Sequence, residues 1–184
     1  MFSRRCRPRS GAAAFAVATA LLATIAAAGA APGRAAAASP ARDGSCATPG
    51  LAVWLDTHGS GAAGSTYYDL EFTNLSGHPC TPLGYPGVSA VGLGGRQLGT
   101  AALRNAHTPS RTVSLAAGGT ASAVLQITDP GVFPKHSCRP VTAAGLRVYP
   151  PNQTESKVVP FPFGACSRNG PSYLHVEAMS KPPA

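Results

Sequence analysis

Hydrophobic and polar residues alternate with a period of two along much of the chain. In residues 51–57, LAVWLDT, aliphatic side chains occupy every second position, and residues 65–76, STYYDLEFTNLS, resume the alternation. This period is typical of β-strands with one buried and one solvated face. The pattern predicts two strands here. The glycine-rich residues 58–65, HGSGAAGS, are expected to join them as a flexible loop.

The rest of the chain continues as short strands separated by turn residues. Pairs of glycines at residues 94–95 and 118–119 predict tight turns, and prolines within residues 157–163 predict an edge strand. No stretch shows a convincing helical period with caps. The predicted fold is all-β, an immunoglobulin-like antiparallel sandwich of about seven to nine strands. The further strands are predicted in residues 88–93, 96–100, both halves of 111–129, 145–150, 157–163 and 173–179.

The first 38 residues have the layout of a secretory signal peptide. Arg4, Arg5, Arg7 and Arg9 precede a long alanine-rich run without charge, and small residues follow it. Cleavage after residue 30 or residue 38 fits, and the second position is favoured. A retained membrane anchor is the alternative, because the run is just long enough to span a bilayer. The sequence leaves Sec and twin-arginine export open.

These observations give a domain plan with one folded unit. Residues 1–38 form the signal peptide, 39–45 a flexible spacer, 46–179 a single β-sandwich domain and 180–184 a tail. No transmembrane segment is expected after the signal is removed. The product is expected outside the cell or associated with the cell envelope.

The high net charge belongs largely to the signal peptide. The whole chain carries a formal charge of +8, but after residue 38 only ten basic and seven acidic residues remain, which leaves +3. The remaining Lys and Arg residues are scattered, whereas a nucleic-acid surface needs them clustered. No nucleic-acid partner is therefore expected.

Four cysteines remain after the signal is removed: Cys46, Cys80, Cys138 and Cys166. An even set in a small exported domain predicts two disulfides. Zinc is the alternative, but its ligands usually come in pairs two to four residues apart, and these cysteines are far more widely spaced. Three pairings are possible. We favour Cys46–Cys80 and Cys138–Cys166, because these pairings close the two shortest loops.

Several of these segments together resemble the domain-of-unknown-function 4232 family. The motifs are LEFTNLSGHPC, CTPLGYPGV, VSLAAGGTASAVLQITD and the block from CRPVTAAGLRVYPPN to ACSRNGPSYLHV, so the resemblance covers about residues 46–179. One departure is Pro82, where the family often has leucine. The resemblance implies an exported domain of high-GC actinobacteria (Streptomyces-like), with an immunoglobulin-like sandwich and these cysteines paired. It implies no known activity.

The residue types that carry catalysis or bind metals form no recognisable set. The five histidines accompany no Gly-x-Ser-x-Gly elbow, and Asp69 and Glu71 are interpreted as the solvated side of a strand. A copper site is unsupported, because Met179 is the only methionine after the signal and no His-x-His pair occurs. The chain is therefore predicted not to be an enzyme, with no catalytic, metal-binding or cofactor-binding residues.

Two polar or aromatic features remain open. By alternation, Trp54 and Tyr67 lie on the face opposite the aliphatic residues. They form either an exposed binding patch or part of a core buried on both faces, and we expect the core. Asn74 is expected to close a turn with Ser76 and Gly77.

Two function classes follow. The leading hypothesis is a non-catalytic binding or structural domain at the cell envelope or outside the cell, with a cell-wall polymer or an exported protein as its partner. The alternative is a secreted protease inhibitor or hydrolase. An inhibitor would present one of the proline-rich loops near Cys80 or Cys138.

Overall fold

The structure, a computed structural model, describes residues 44–107 and 109–181. The predicted signal peptide, residues 39–43 of the spacer and residues 182–184 of the tail lie outside the described residues. These described residues contain nine strands, which agrees with the predicted number. In chain order they are β1 Leu51–Ala62, β2 Ser65–Asn74, β3 Gly87–Val91, β4 Gln97–Leu98, β5 Leu103–Arg104, β6 Thr120–Thr128, β7 Pro140–Tyr149, β8 Lys157–Cys166 and β9 Leu174–Val176.

The strands form two sheets that face each other as a sandwich. One sheet has five strands in the order β1-β2-β6-β9-β5, and the other has four in the order β4-β3-β7-β8. Neighbouring strands are antiparallel except β5 and β9, which pair in parallel. The predicted all-β sandwich is confirmed, and β8 lies at a sheet edge as its prolines require.

In the part of the chain that the structure describes, helical structure is confined to single turns. They are α1 Lys135–Cys138 and two 3-10 turns, Thr48–Gly50 and Pro130–Val132. Within the described part of the chain, no helix has both the length and the apolar character needed to cross a membrane.

The inward-facing positions of both sheets form the core. Leu70 and Phe72 of β2 and Leu125 of β6 are fully buried and face Leu146 and Val148 of β7. Each buried side chain of this size contributes about 1.5–3 kcal/mol through removal of apolar surface from water. The alternation that predicted the strands therefore also predicted which side chains form the core.

The predicted flexible loop at residues 58–65 is wrong for most of its length. Strand β1 continues to Ala62, with a register shift between Asp56 and Ser60, and the turn into β2 is only two residues long. Glycine suits position 59 of this strand, because a Cβ there would lie 2.6 Å from a ring carbon of Tyr68. At this position glycine reflects close approach to an aromatic ring rather than a flexible loop.

The predicted hairpin at residues 111–129 is also partly wrong. Its second half is β6, but its first half pairs elsewhere: Thr112 bridges to Leu83 and Leu115 bridges to Cys80. The backbone N–H of Gly118 donates to the carbonyl of Asn74 at 2.8 Å, so the glycine turn pairs with the end of β2. A turn signal identifies the reversal of the chain but not the strand that it pairs with.

Both predicted disulfides are present. Cys46 pairs with Cys80, and Cys138 pairs with Cys166. The first bond ties the residues before β1 to the segment after β2, and the second ties the end of α1 to the end of β8. Gly44, from the predicted spacer, already belongs to the folded part, because its carbonyl accepts the Thr81 N–H at 2.9 Å.

Candidate functional site

The outer face of the five-stranded sheet holds a cluster of aromatic and acidic side chains on its first two strands. Trp54 and Asp56 of β1 and Tyr67, Asp69 and Glu71 of β2 occupy alternating positions that point away from the core. We call these five residues the acidic–aromatic patch. In the register of the two strands, Trp54 lies opposite Glu71 and Asp56 lies opposite Asp69. Directly opposite side chains in an antiparallel pair have Cβ atoms about 4.5–5.5 Å apart, so these groups are neighbours.

Trp54 is exposed, which makes the expectation that it belongs to the core wrong. It exposes 47% of its surface, and its indole N–H donates to the hydroxyl oxygen of Thr73 at 3.4 Å. Tyr67 is half-buried. The second sheet covers only the inner face of β1 and β2, so an aromatic residue on the outer face stays accessible. A half-exposed tryptophan beside polar groups is a frequent feature of binding surfaces.

Asp56 is held ionised by its neighbour His58. One carboxylate oxygen of Asp56 accepts the backbone N–H of His58 at 2.9 Å and lies 2.8 Å from the Nδ1 atom of its ring. The backbone hydrogen bond, followed by the ring hydrogen bond, lowers the pKa of Asp56 below its usual value. Both side chains are open to solvent, so this pair supplies a stable negative charge at the rim of the patch.

Glu71 is buried, which makes the interpretation of its carboxylate as an ordinary solvated group wrong. The residue exposes 8% of its surface, and its Oε2 atom is buried without a hydrogen-bond partner among the described residues. Burial raises the pKa of Glu71, and the nearby charges of Asp69 and Asp56 raise it further. A carboxylate with an unpaired buried oxygen destabilises the folded protein unless a donor is supplied.

The pKa of Glu71 predicts how stability depends on pH. A carboxyl whose pKa is raised on folding binds its proton more tightly in the folded state, so stability falls as pH rises from its unfolded pKa through its folded pKa. We expect Glu71→Gln to be more stable than the natural protein at neutral pH. This advantage should shrink at pH values below the unfolded pKa, because Glu71 is then protonated in both states.

Urea denaturation of both proteins across acidic to neutral pH measures this difference. A matched substitution at the exposed Glu155, Glu155→Gln, should change stability little at any pH. A Glu71→Gln variant that is less stable at neutral pH would contradict the prediction.

Charge is distributed unevenly between the two sheets. Residues 44–95 contain no Lys or Arg, although Asp56, Asp69 and Glu71 all fall in this range. The strands of the five-stranded sheet contain one Lys or Arg, which is Arg104 on β5, at the edge opposite β1. Among the carboxylates of the patch, Asp56 has an ion-pair partner within the described ranges, His58. The patch therefore lacks an internal counter-charge for Asp69 and Glu71.

A second concave feature lies near the turn between β1 and β2. It is a cavity of about 570 Å³, with Tyr68, Ile127, Asp129 and Phe163 among its lining residues. The volume is in the range of small-ligand sites. However, the Asp129 carboxylate already accepts the Gly131 N–H at 2.7 Å, where it caps a 3-10 turn. The cavity therefore offers less unsatisfied polar chemistry than the acidic–aromatic patch.

One serine–histidine contact resembles part of a catalytic set. The Ser76 hydroxyl lies 3.3 Å from Nδ1 of His78, but it lies closer to the side-chain oxygen of Asn74, at 2.7 Å. The hydroxyl proton therefore serves the turn that Asn74, Ser76 and Gly77 were predicted to form, and that prediction is confirmed. In residues 44–107 and 109–181, no three His, Cys, Asp or Glu side chains are grouped so that they could hold a metal ion.

The proline-rich loop after Cys80 does not protrude. Pro82 and Pro86 are fully buried, and the Gly84 carbonyl accepts the Met179 N–H at 2.8 Å. Pro82, the departure from the family pattern, thus fills a packed position. The segment before Cys138 is more accessible, since Val132 exposes 56% of its surface.

Sequence reasoning located the members of the patch but not its character. Alternation placed Trp54 and Tyr67 on one face and Asp69 and Glu71 on the same face of β2. The exposure of Trp54 and the burial of Glu71 were both predicted in the opposite sense. The absence of Lys and Arg from residues 44–95 is the sequence signal that points to this region.

Comparison with known proteins agrees with the motifs. No curated protein and no solved structure matches the chain significantly. A family model described as a domain of unknown function (DUF4232) matches residues 46–180, from the first disulfide cysteine to the end of the last paired segment. This match covers both sheets, both disulfides and the acidic–aromatic patch, and the chain therefore belongs to the DUF4232 family of domains of unknown function.

Proposed function

We propose that this protein is an exported, non-catalytic domain that binds a partner at the cell envelope or outside the cell through the acidic–aromatic patch. The observation that carries the proposal is the pair formed by Trp54 and Glu71, one exposed although apolar and the other buried although charged. The buried carboxylate costs stability in the free protein, and the exposed indole forgoes much of the gain that burial would give. Residues that break the rules of folding in this way concentrate at binding sites.

The disulfides support the exported location. Disulfides persist in oxidising compartments and are rare in the reducing cytosol. Two of them are present in the sandwich, at Cys46–Cys80 and Cys138–Cys166. The predicted signal peptide at residues 1–38 points to the same compartment.

The sandwich itself provides a rigid support for binding. Strands β1, β2 and β6 are paired along nearly their full length, so the patch side chains have fixed relative positions. Preorganised groups lose little conformational entropy on binding. The alternative function of protease inhibitor receives less support near Cys80, because Pro82 and Pro86 of the loop there are fully buried.

The proposal predicts that Trp54→Ala abolishes partner binding without unfolding the protein. The full chain is produced in a secreting host, purified oxidised, and incubated with cell walls, membranes and culture supernatant of a strain that carries the gene. Retention of the natural protein on one fraction should fall at least about tenfold for Trp54→Ala, as for a binding hot spot. Its stability should change by no more than about 1 kcal/mol, because Trp54 is half-exposed.

Leu93→Ala is the matched control, because Leu93 is fully exposed and lies outside the patch. It should be retained like the natural protein. A reduced and alkylated sample tests whether retention needs the folded domain. If Trp54→Ala is retained as well as the natural protein, or no fraction retains either protein, the proposed function is wrong.

A further inference from the structure

We infer that the ligand of the acidic–aromatic patch is an arginine-bearing, extended segment of another exported polypeptide. In this complex a guanidinium group stacks on Trp54 and donates hydrogen bonds to the carboxylates of Glu71 and Asp69. This inference rests on the proposed function, since it names the chemistry of the partner bound by the same site.

The uncompensated negative charge of the patch favours a cationic ligand. Asp56, Asp69 and Glu71 lie side by side on two paired strands, and Asp56 and Asp69 are directly opposite each other in the register. Like charges directly opposite in a sheet are destabilising. Of these three carboxylates, only Asp56 has an ionic partner among the described residues, His58, and that partner is a cation only when protonated. A cationic ligand removes this repulsion, whereas a neutral or anionic ligand does not.

The unpaired oxygen of Glu71 favours a ligand that donates a hydrogen bond. Its Oε2 atom is buried, and none of the described residues donates a hydrogen bond to it. Trp54, the residue opposite, is attached to the sheet by one long hydrogen bond of 3.4 Å to Thr73. Binding therefore requires a side-chain movement at the patch that exposes Oε2 of Glu71 to the ligand donor. A charge-assisted hydrogen bond formed at such a desolvated carboxylate is stronger than one formed in open water.

The neighbouring indole and carboxylate favour arginine over lysine. A guanidinium group is planar, stacks on an indole ring and donates several hydrogen bonds in one plane, so it can contact an aromatic ring and a carboxylate together. An ammonium group is a strongly hydrated point charge and satisfies these two contacts less well. The neighbouring positions of Trp54 and Glu71 match the first geometry.

The open sheet face and the spacing of its carboxylates favour an extended ligand. The patch lies on an open sheet face, and Asp69 and Glu71 are two residues apart on one strand. Side chains at this separation are about 6.8 Å apart along a strand. Every second side chain of an extended peptide has the same spacing. Arginines two residues apart in the ligand therefore match Asp69 and Glu71. A compact ligand would need a pocket instead.

Because Trp54 is the only tryptophan in the chain, its fluorescence reports binding at the patch directly. The full chain, purified as the exported product, is titrated with an acetylated peptide of alternating Arg and Gly. Two matched peptides contain Lys or citrulline in place of Arg. Citrulline keeps the shape of arginine but lacks its charge. The Arg peptide should change the fluorescence and bind at least about tenfold more tightly than either matched peptide.

The carboxylates are tested with Glu71→Gln and Asp69→Asn, and Glu155→Gln serves as the charge-matched control outside the patch. The first two variants should each weaken Arg-peptide binding at least about tenfold, and the control should change it less than about twofold. Raising the salt from about 50 mM to about 300 mM should weaken binding, because it shortens the screening length. Since Glu71→Gln is expected to be the more stable protein at neutral pH, its loss of binding would not reflect unfolding.

The outcomes separate the two proposals. Equal binding of the Arg, Lys and citrulline peptides, no binding of any of them, or binding unaffected by Glu71→Gln overturns the arginine inference. Binding of isolated wall glycan, detected through Trp54 fluorescence and insensitive to both carboxylate substitutions, overturns it as well. In each of these cases the proposed function still stands if retention on an envelope fraction depends on Trp54, and it fails if retention does not.

Discussion

Asn74→Ala is expected to lower the free energy of unfolding by about 3–4 kcal/mol, because the Asn74 side chain links three backbone segments from a fully buried position. Its amide nitrogen donates to the carbonyl oxygens of His78 at 2.8 Å and of Leu115 and Ala116 at 3.2 Å. Its amide oxygen accepts from the N–H and hydroxyl groups of Ser76 at 3.0 and 2.7 Å. Alanine would remove all of these hydrogen bonds, each of which contributes about 0.5–1.5 kcal/mol. The Leu115 and Ala116 carbonyls keep the backbone N–H groups of Cys80 and Gly119 as donors, so the loss comes from the removed bonds and from the space left at a buried site.

Two further variants sharpen this prediction. Asn74→Asp keeps the size and the acceptor oxygen but loses the amide donors and adds a buried charge, so at neutral pH it should be at least as destabilising as alanine. Asn169→Ala changes an exposed asparagine and should stay within about 0.5 kcal/mol of the natural protein. Urea denaturation measures all three. A loss below about 1 kcal/mol for Asn74→Ala would contradict this prediction.

Removal of either disulfide is expected to lower the free energy of unfolding by about 3.5–4 kcal/mol on the chain-entropy model. The two bonds close loops with sequence separations of 34 and 28 residues, and each bond limits the conformations of the unfolded chain. The paired variants are Cys46→Ala with Cys80→Ala and Cys138→Ala with Cys166→Ala. All four cysteines are buried, so small cavities add to the cost.

Thermal and urea denaturation of the two double variants against the oxidised natural protein tests this expectation. Peptide mapping of the natural protein without reduction checks the pairing. A double variant with less than about 1 kcal/mol of lost stability would mean that the disulfide holds a segment already fixed by other contacts. For Cys46–Cys80 such contacts exist, since Gly44 and Leu115 both bridge to Cys80.

The acidic–aromatic patch illustrates how a stable sandwich can carry a destabilising surface. The core beneath β1 and β2 contains Leu55, Leu70 and Phe72, all buried, and the sheet above it tolerates an exposed indole and an unpaired carboxylate. Substitutions at the patch are therefore expected to separate stability from binding. Glu71→Gln should gain stability and lose binding, which is the behaviour of a residue retained for binding.

The sequence by itself determined the class of fold and much of its core. Alternation of apolar residues identified the strands around Leu70 and Phe72, prolines identified β8 as an edge, and loop closure favoured the disulfide pairs that form. These features depend on neighbouring residues or on chain connectivity, so a single sequence contains them. The turn at Asn74 was also predictable, because its hydrogen bonds with Ser76 are local.

Only the tertiary structure decided which strands pair and which faces are covered. Residues 112–115 joined residues 80–83 rather than β6, and β1 extended through the glycines that had predicted a loop. Alternation divides a strand into two faces but does not show how deeply each is buried. Trp54 is exposed because no second sheet covers its side of β1, and Glu71 is buried among its neighbours on the same side. Both outcomes depend on residues distant in sequence, which is why local patterns predicted them wrongly.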